Sequence, residues 1–292
     1  MITIRPSTPN EIPQQKDLWK KCFGDPSTYI DIFYQQFCTA DQVLVVDDDG
    51  EIDSMAAMLP SMLRLPDGST IPVGYVYALS TNPYMQGKGH ARQLLKYADE
   101  YLQSKGMKAM TLVPSSPSLH RFFEAVGMEE CFATRKVELL TTSLTGDTHG
   151  GTITPISPKE YNEIREEYLQ NTYHMTYSDH MIHFQQIGSP LASGDLYTIE
   201  VDGVVGCTAI EYVQTRRLLA KELIISPNKM SVAAEIIAQE LQASRYHIRT
   251  PAFWDGIPGS YLQGFGMIKW YDQDLHAQWY NHQDAYLGLG FD

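Results

Sequence analysis

The amino-acid sequence predicts an α/β fold made of two similar halves, each a twisted mixed sheet flanked by helices. Between residues 70 and 127, strand-like and helix-like segments alternate with short connections, an order typical of parallel strand pairing. The segment LYTIEVDGVVGCTAIEYV at 196–213 has the strand, turn and strand pattern of VLVVDDDGEIDSMAAMLP at 43–60. This similarity indicates an internal duplication, and a length of 292 residues suits two domains of roughly 150 residues each.

A polar stretch separates the two halves. The segment TTSLTGDTHGGT at 141–152 lacks hydrophobic periodicity and is rich in turn-forming residues, which is typical of a linker. The sequence therefore predicts one domain at residues 1–142 and a divergent second copy at residues 152–292.

The acidic composition limits the choice of partners. The formal net charge is −13 and no patch rich in Lys and Arg is visible, so we expect no nucleic-acid binding. Residues 1–143 hold 13 Lys and Arg against 17 Asp and Glu, whereas residues 144–292 hold 9 against 18. A cationic partner fits this imbalance, and an acidic groove is expected mainly in the second half.

Membrane, disulfide and metal functions are not indicated. No apolar run reaches the roughly eighteen residues of a membrane helix, and no leader pattern opens the sequence, so we expect a cytoplasmic protein without membrane contact. The four cysteines lie far apart without a CxxC pair, so we expect neither a disulfide framework nor a metal site. These cysteines are Cys22, Cys38, Cys131 and Cys207.

Local signals place several helix boundaries. Apolar residues at helical spacing predict a helix that begins near residue 90 and ends at Gly106. The apolar face of this helix consists of Ala91, Leu94, Leu95, Ala98 and Leu102. Further upstream, Asp25 and Pro26 resemble a helix cap followed by proline at the first helical position.

The loop QGKGHA at 86–91 connects a predicted strand to this helix. Backbone N–H groups at such a junction point outward together, and the helix dipole adds partial positive charge. Glycine permits positive φ angles and close approach of an anion to the backbone. The loop therefore predicts an anion site, although two glycines alone also fit an ordinary turn.

The loop in this setting resembles the acetyl-CoA-binding signature of the GCN5-related N-acetyltransferases (GNAT superfamily), Gln/Arg-x-x-Gly-x-Gly/Ala after a strand. Gln86, Gly89 and Ala91 occupy its three defining positions. FFEAVGM at 122–128 resembles the second landmark of that family, an aromatic-rich helix ending in Gly-Phe, with Met128 in place of phenylalanine. The resemblance covers roughly residues 1–140, and the two-copy layout resembles the tandem acetyltransferases of the enhanced-intracellular-survival type.

The resemblance implies a fold and a cofactor site. In that family two parallel strands splay apart and the pantetheine arm of acetyl-CoA lies in the gap, while the loop holds the pyrophosphate. The second copy, which lacks the glycine loop, would shape the acceptor site. Carried over to this sequence, the residues expected to bind acetyl-CoA are Leu79, Ser80, Thr81, Gln86, Gly87, Lys88, Gly89, His90 and Ala91.

The catalytic acid and base are harder to place. Family members often carry a tyrosine as the acid beside the sulfur, at a position where this sequence has Phe123, and the strand before the loop has no carboxylate. Candidate substitutes are Ser80, Tyr77 and His120, and by analogy with related tandem enzymes Asp292. Strand packing also explains a tyrosine such as Tyr77, and a surface helix position also explains His120.

Two functions remain open from the sequence. The first is acetyl-CoA-dependent N-acetyl transfer to a primary amine of a small molecule or peptide, by direct attack in a ternary complex, with a cationic acceptor favoured by the charge. The second is an acyl-CoA-binding or sensor protein of the same fold with weak or no turnover. The segment YHMTYSDHMIHF at 173–184, rich in aromatic and histidine residues, is expected to line the acceptor groove rather than to bind a metal.

Overall fold

The computed structural model of the chain describes residues 1–140, 150–188, 194–214, 216–279 and 285–291. The strands of the first half are β1 (Ile2–Pro6), β2 (Val43–Asp48), β3 (Glu51–Arg64), β4 (Thr70–Thr81), β5 (Ala109–Leu112) and β6 (Glu129–Leu140). Its helices are α1 (Ile12–Phe23), α2 (Ser27–Ile32), α3 (His90–Ser104) and α4 (Pro117–Glu124).

The second half contains a similar set of elements. Its strands are β7 (Thr152–Pro155), β8 (Tyr173–Thr176), β9 (Asp195–Val201), β10 (Val204–Gln214), β11 (Arg217–Ile224), β12 (Arg245–Pro251), β13 (Tyr261–Trp270) and β14 (Ala285–Tyr286). Its helices are α5 (Pro158–Tyr168), α6 (Asp179–Gly188), α7 (Met230–Glu240) and α8 (Gln273–Trp279).

The strands of both halves join in one mixed sheet. Over the described residues its order is β1, β2, β3, β4, β5, β13, β6, β12, β11, β10, β9, β7, and β8 pairs with β3 and β14. The pairs β4–β5 and β11–β12 are parallel, whereas the neighbouring pairs are antiparallel. The predicted mixed α/β fold is confirmed, and the continuity of the sheet between the halves is a feature that the sequence did not reveal.

The two halves exchange strands at the centre of the sheet. Strand β13 of the second half lies antiparallel between β5 and β6, with Met267 opposite Leu112 and Ile268 opposite Glu129. Reciprocally, β6 of the first half lies antiparallel beside β12, with Val137 opposite Ile248. At the centre of the sheet, the halves therefore share ladder hydrogen bonds along three strand pairs, and separating them exposes strand edges on both halves.

The two halves contain matching hairpin turns. Residues Asp49 and Gly50 form the turn between β2 and β3 with φ angles of 50° and 96°. In the second half, Asp202 and Gly203 form the turn between β9 and β10 with φ angles of 50° and 78°. Positive φ at both central residues matches the right-handed twist of the flanking strands, so Asp-Gly specifies the same tight hairpin twice.

Helix α3 covers one face of the first half as the periodicity predicts. Its buried residues include Leu94, Leu95, Ala98 and Leu102, which pack on β2, β3 and β4. Each buried leucine contributes about 1.5–3 kcal/mol relative to an exposed one. The helix ends at Ser104, and Gly106 follows with φ of 80°, the left-handed conformation that closes a helix.

Within the described ranges, no helix has the length and apolar character that crossing a membrane requires.

Candidate functional site

The parallel strands β4 and β5 separate at one end, and a cavity of about 390 Å³ opens there. The strands pair from Val73 to Tyr75 with Ala109 to Thr111, and β4 then continues to Thr81 beyond that pairing. The separated parallel pair that the resemblance implies is thus present. The first-half walls of the cavity along this gap are Val76, Tyr77, Ala78, Leu79, Leu112, Val113, Pro114, Ser115, Leu119 and Phe123.

A β-bulge in β4 directs backbone groups toward the cavity. Tyr77 lies opposite Ala57 of β3 and Ser80 lies opposite Met55, so Ala78 and Leu79 together face one residue. Ala78 has φ of 52°, which is unusual for a residue with a side chain. Bulges interrupt the ladder hydrogen bonds, and both residues of this one line the cavity.

The glycine loop leads directly into α3. Gly87 and Gly89 have φ angles of 81° and 88°, and Gly89 is the N-cap of the helix. The backbone N–H of Gln93 donates to the Gly89 carbonyl at 3.0 Å, which begins the hydrogen-bond pattern of the helix. The N–H groups that precede Gln93 at a helix start lack partners within the helix, and the predicted anion site depends on these groups.

The other loop residues take different positions. Gln86 and Lys88 are exposed, and the Gln86 side chain donates to the Thr81 carbonyl at 3.4 Å. The His90 side chain instead points into the protein, where its Nδ1 lies 3.6 Å from Oδ2 of the buried Asp53. His90 therefore has only its backbone available to a ligand at the loop.

Two phenol groups meet in the cavity. The hydroxyl of Tyr77 on β4 lies 2.5 Å from the hydroxyl of Tyr29 on α2, and both side chains line the cavity. Burial raises the pKa of both phenols above the ordinary value, so both remain protonated at neutral pH. Tyr29 was missed by the sequence analysis, because only the packing of α2 brings it to β4.

Two other predicted catalytic residues, Ser80 and His120, do not line the cavity. The Ser80 hydroxyl is buried and donates to the carbonyl of Ala78 at 2.9 Å. His120 lies on α4 and pairs with Glu130 of β6, and it is not among the residues that line the cavity. Asp292 lies outside the described residues.

Phe123 occupies the cavity wall where the resemblance implies a tyrosine. Its ring is buried and packs edge-on against Phe122 at 5.1 Å. At this position on α4 the chain therefore offers an apolar surface and no proton donor.

The second half contributes the wall of the cavity that faces β4, the strand before the glycine loop. It supplies Phe184 and Gln185 of α6, Glu211 of β10, Lys221 of β11 and Phe291. Lys221 donates to Gln185 Oε1 at 3.0 Å and lies 4.0 Å from Glu211 Oε2. Sequence analysis missed Glu211 and Lys221, since their strand patterns carry no sign that they face the first half.

The C-terminal segment reaches the cavity and is held by hydrogen bonds to two tyrosine side chains. The Tyr177 hydroxyl donates to the Leu287 carbonyl at 2.8 Å, and the Phe291 N–H donates to the Tyr75 hydroxyl at 3.0 Å. The Phe291 ring lies 5.4 Å from the ring of Tyr77. The last described residue therefore forms part of the cavity wall.

Asp25 has a different role from the one its sequence context predicts. Helix α2 begins at Ser27 with Pro26 as its N-cap, so the prediction of Asp25 as cap is wrong. Its carboxylate instead accepts a hydrogen bond from the Trp19 indole at 2.7 Å, and both residues line the cavity. The long-range packing of α1 against α2 overrides the local capping signal.

The histidine-rich segment 173–184 divides between several environments. The Nε2 atom of His174 lies 3.2 Å from Glu166 Oε2, and His180 stacks on Phe37 at 4.3 Å. Only its last residue, Phe184, lines the cavity, so the expected contribution of this segment to the acceptor wall rests on one side chain among those described.

The fold and the glycine loop define a class of protein. Residues 3–127 match the acetyltransferase (GNAT) domain family. The match lies within the first half of the chain, and the resemblance indicated by the sequence is confirmed. No functionally curated protein matches the chain by sequence.

Solved structures with the same fold extend over both halves. A GCN5-related N-acetyltransferase from Anabaena variabilis superposes with a TM-score of 0.72 at 14% identity, covering 94% of this chain and 74% of that one. A GCN5-related N-acetyltransferase from Kribbella flavida gives 0.69 at 12% identity, with coverages of 94% and 72%. Eis1 from Mycobacterium abscessus gives 0.67 at 12% identity, with coverages of 94% and 75%. At these identities the likeness concerns the fold.

Proposed function

We propose that the protein transfers the acetyl group of acetyl-CoA to a primary amine of a small molecule or peptide. The observation that carries the proposal is the cavity in the gap between β4 and β5, together with a glycine loop at the start of α3 that suits a pyrophosphate. The backbone of Gln86 to Ala91 would hold the pyrophosphate. The bulge at Ala78 and Leu79 would hold the thioester and pantetheine by backbone hydrogen bonds.

The transfer itself requires two proton movements. The neutral amine nitrogen attacks the thioester carbonyl carbon, the carbon–sulfur bond breaks, and the nitrogen loses a proton while the sulfur gains one. The Tyr29 and Tyr77 phenols stay protonated because burial raises the pKa of each, so they suit the role of hydrogen-bond or proton donor rather than base. Holding amine and thioester together in one small cavity supplies much of the remaining acceleration.

A second candidate is supported by Phe123. Because this side chain lines the cavity without a hydroxyl, the chain could bind an acyl-CoA in the same gap and turn it over slowly or not at all. The glycine loop serves both candidates equally, so only an assay of turnover separates them.

The test follows free thiol release from acetyl-CoA across a panel of amines, with mass spectrometry of the amine product and calorimetric titration of acetyl-CoA. Amine-dependent thiol release with a product heavier by one acetyl group supports the transferase. Acetyl-CoA binding without release from any amine supports the binding protein. Absence of acetyl-CoA binding contradicts both candidates.

A further inference from the structure

Five aromatic rings from both halves surround the part of the cavity away from the glycine loop. We call this part the aromatic recess; its rings are Trp19, Tyr29, Tyr77, Phe184 and Phe291. Tyr29 stacks on Phe184 with ring centroids 5.4 Å apart, and Phe184 lies 6.0 Å from Phe291. Trp19 closes the group at 5.4 Å from Tyr77. Such a wall favours an apolar group or a cation above a ring face.

The charged groups that line the recess leave an excess of one negative charge among the described residues. Asp25 and Glu211 are carboxylates, and Lys221 is the one cation that lines the described part of the cavity. Lys221 lies 4.0 Å from Glu211, so it offsets one of the two carboxylates. Burial raises the pKa of the Tyr29 phenol, and both carboxylates raise it further.

The volume sets an upper limit on what the recess encloses. The whole cavity measures about 390 Å³, near the lower end of the roughly 300–1,000 Å³ typical of small-molecule sites. Under the proposed function, the same space must also contain the thioester end of acetyl-CoA. An acceptor inside it is therefore small.

We propose that the aromatic recess is the acceptor site and that it selects a small monoamine with an apolar or aromatic body. Its ammonium lies beside Glu211 and Asp25, and its body packs against Phe184 and Tyr29. One excess negative charge matches a single ammonium, whereas a polyamine or an aminoglycoside brings additional charges that the described wall does not neutralise. The inference rests on the proposed function for the reaction, but the binding site itself can be tested without turnover.

The experiment measures binding of 2-phenylethylamine by calorimetry, both without nucleotide and with CoA, which carries no acetyl group. The matched probes are 2-phenylethanol, which has the same ring without the charge, and spermidine, which has more charge without the ring. We expect 2-phenylethylamine to bind at least tenfold more tightly than either probe.

Two variants locate the site. Glu211→Gln removes a carboxylate from the recess, and we expect about tenfold weaker 2-phenylethylamine binding. Phe184→Ala removes the ring that stacks on Tyr29, with a similar expected loss. The control is Glu163→Gln, which removes the same charge from an exposed position on α5 beside Lys159 and should leave binding unchanged.

The outcomes separate this inference from the proposed function. Tighter binding of spermidine than of 2-phenylethylamine overturns the inference. An equal loss of 2-phenylethylamine affinity in the Glu211→Gln and Glu163→Gln proteins overturns it as well. Failure of acetyl transfer with every amine contradicts the transferase, yet selective amine binding that depends on Glu211 and Phe184 would still support the recess as a monoamine site.

Discussion

The proposed proton transfer depends on two side chains, Tyr29 and Tyr77, whose hydroxyls are paired. Tyr77 could be selected from the sequence because it lies on the strand before the glycine loop. Tyr29 could not, since it is 48 residues away and meets Tyr77 only through the packing of α2. The same holds for Asp25 and Glu211, whose local patterns indicate a helix cap and a strand and carry no sign of a shared cavity.

Replacing Tyr77 with phenylalanine should lower kcat/KM about 100-fold, a typical effect of removing a proton donor. Because burial raises the pKa of this phenol well above its ordinary value of 10, it stays protonated as the pH rises from 7 to 9. The loss should therefore have the same size across that range, which a pH profile of kcat/KM checks.

The control for this variant is Tyr197→Phe on β9, which is not among the residues that line the cavity and should keep the activity of the original protein. Wild-type kcat/KM in the Tyr77→Phe protein would exclude the hydroxyl pair from the reaction. A loss that vanishes at one end of the pH range would point to a different proton donor.

At the scale of elements, the glycine loop and α3 were predictable because their pattern is local. The structure of the segment YLQGFGMIKW at 261–270 was not: it resembles FFEAVGMEECF at 122–132, which begins within α4, yet all of it forms the central strand β13. Nothing local in that segment specifies its neighbours, because a strand shows the same alternation whichever strands it pairs with. The path of the C-terminal segment depends equally on distant partners.

Gly288 controls that path. Its φ is 77°, and an added Cβ would overlap Glu222 Oε2 and lie 2.7 Å from Arg165 Nη2. Glu222 and Arg165 are fully buried and joined by a 2.8 Å ion pair, so neither can move aside easily. Gly288→Ala should therefore lower the free energy of unfolding by about 2–4 kcal/mol and raise KM for the amine, because Phe291 leaves the cavity wall.

Gly203→Ala is the matched control for this variant. Gly203 has φ of 78° in the β9–β10 turn, and an added Cβ would meet open space. The substitution should therefore lower the free energy of unfolding only through backbone strain, by about 1 kcal/mol. Urea unfolding compares the two proteins. Equal stabilities, or an unchanged KM in Gly288→Ala, would show that the C-terminal segment does not depend on this close contact.

At the scale of the whole molecule, the exchange of β6 and β13 makes the two halves interdependent. Sequence analysis predicted two halves, each with a mixed sheet, and placed them at 1–142 and 152–292. These boundaries follow the similarity between the segments and do not show that strands of one half pair with strands of the other. Without β13, strand β5 would keep β4 but lose its second partner along Ala109 to Leu112, and β6 would lose one of its two neighbours. Exposed central edges of this kind favour aggregation.

Residues 1–142 produced alone should therefore fail to unfold cooperatively and should aggregate, whereas co-production with residues 150–292 should restore a soluble complex. Size-exclusion chromatography and urea unfolding followed by circular dichroism check both expectations. A monomeric fragment 1–142 with a cooperative transition would show that the first half folds independently of the strand exchange.

The glycine loop as the pyrophosphate site is tested most directly by calorimetric titration of acetyl-CoA against two matched variants at the ends of α3. Gly89 and Gly106 lie at opposite ends of this helix with φ of 88° and 80°, and an added Cβ has no close contact at either. Valine at either position should cost similar stability, which urea unfolding checks. We expect Gly89→Val to lose at least tenfold in acetyl-CoA affinity, whereas Gly106→Val should bind acetyl-CoA as the original protein does. Equal acetyl-CoA affinity in the two variants would contradict the assignment of the glycine loop as the pyrophosphate site.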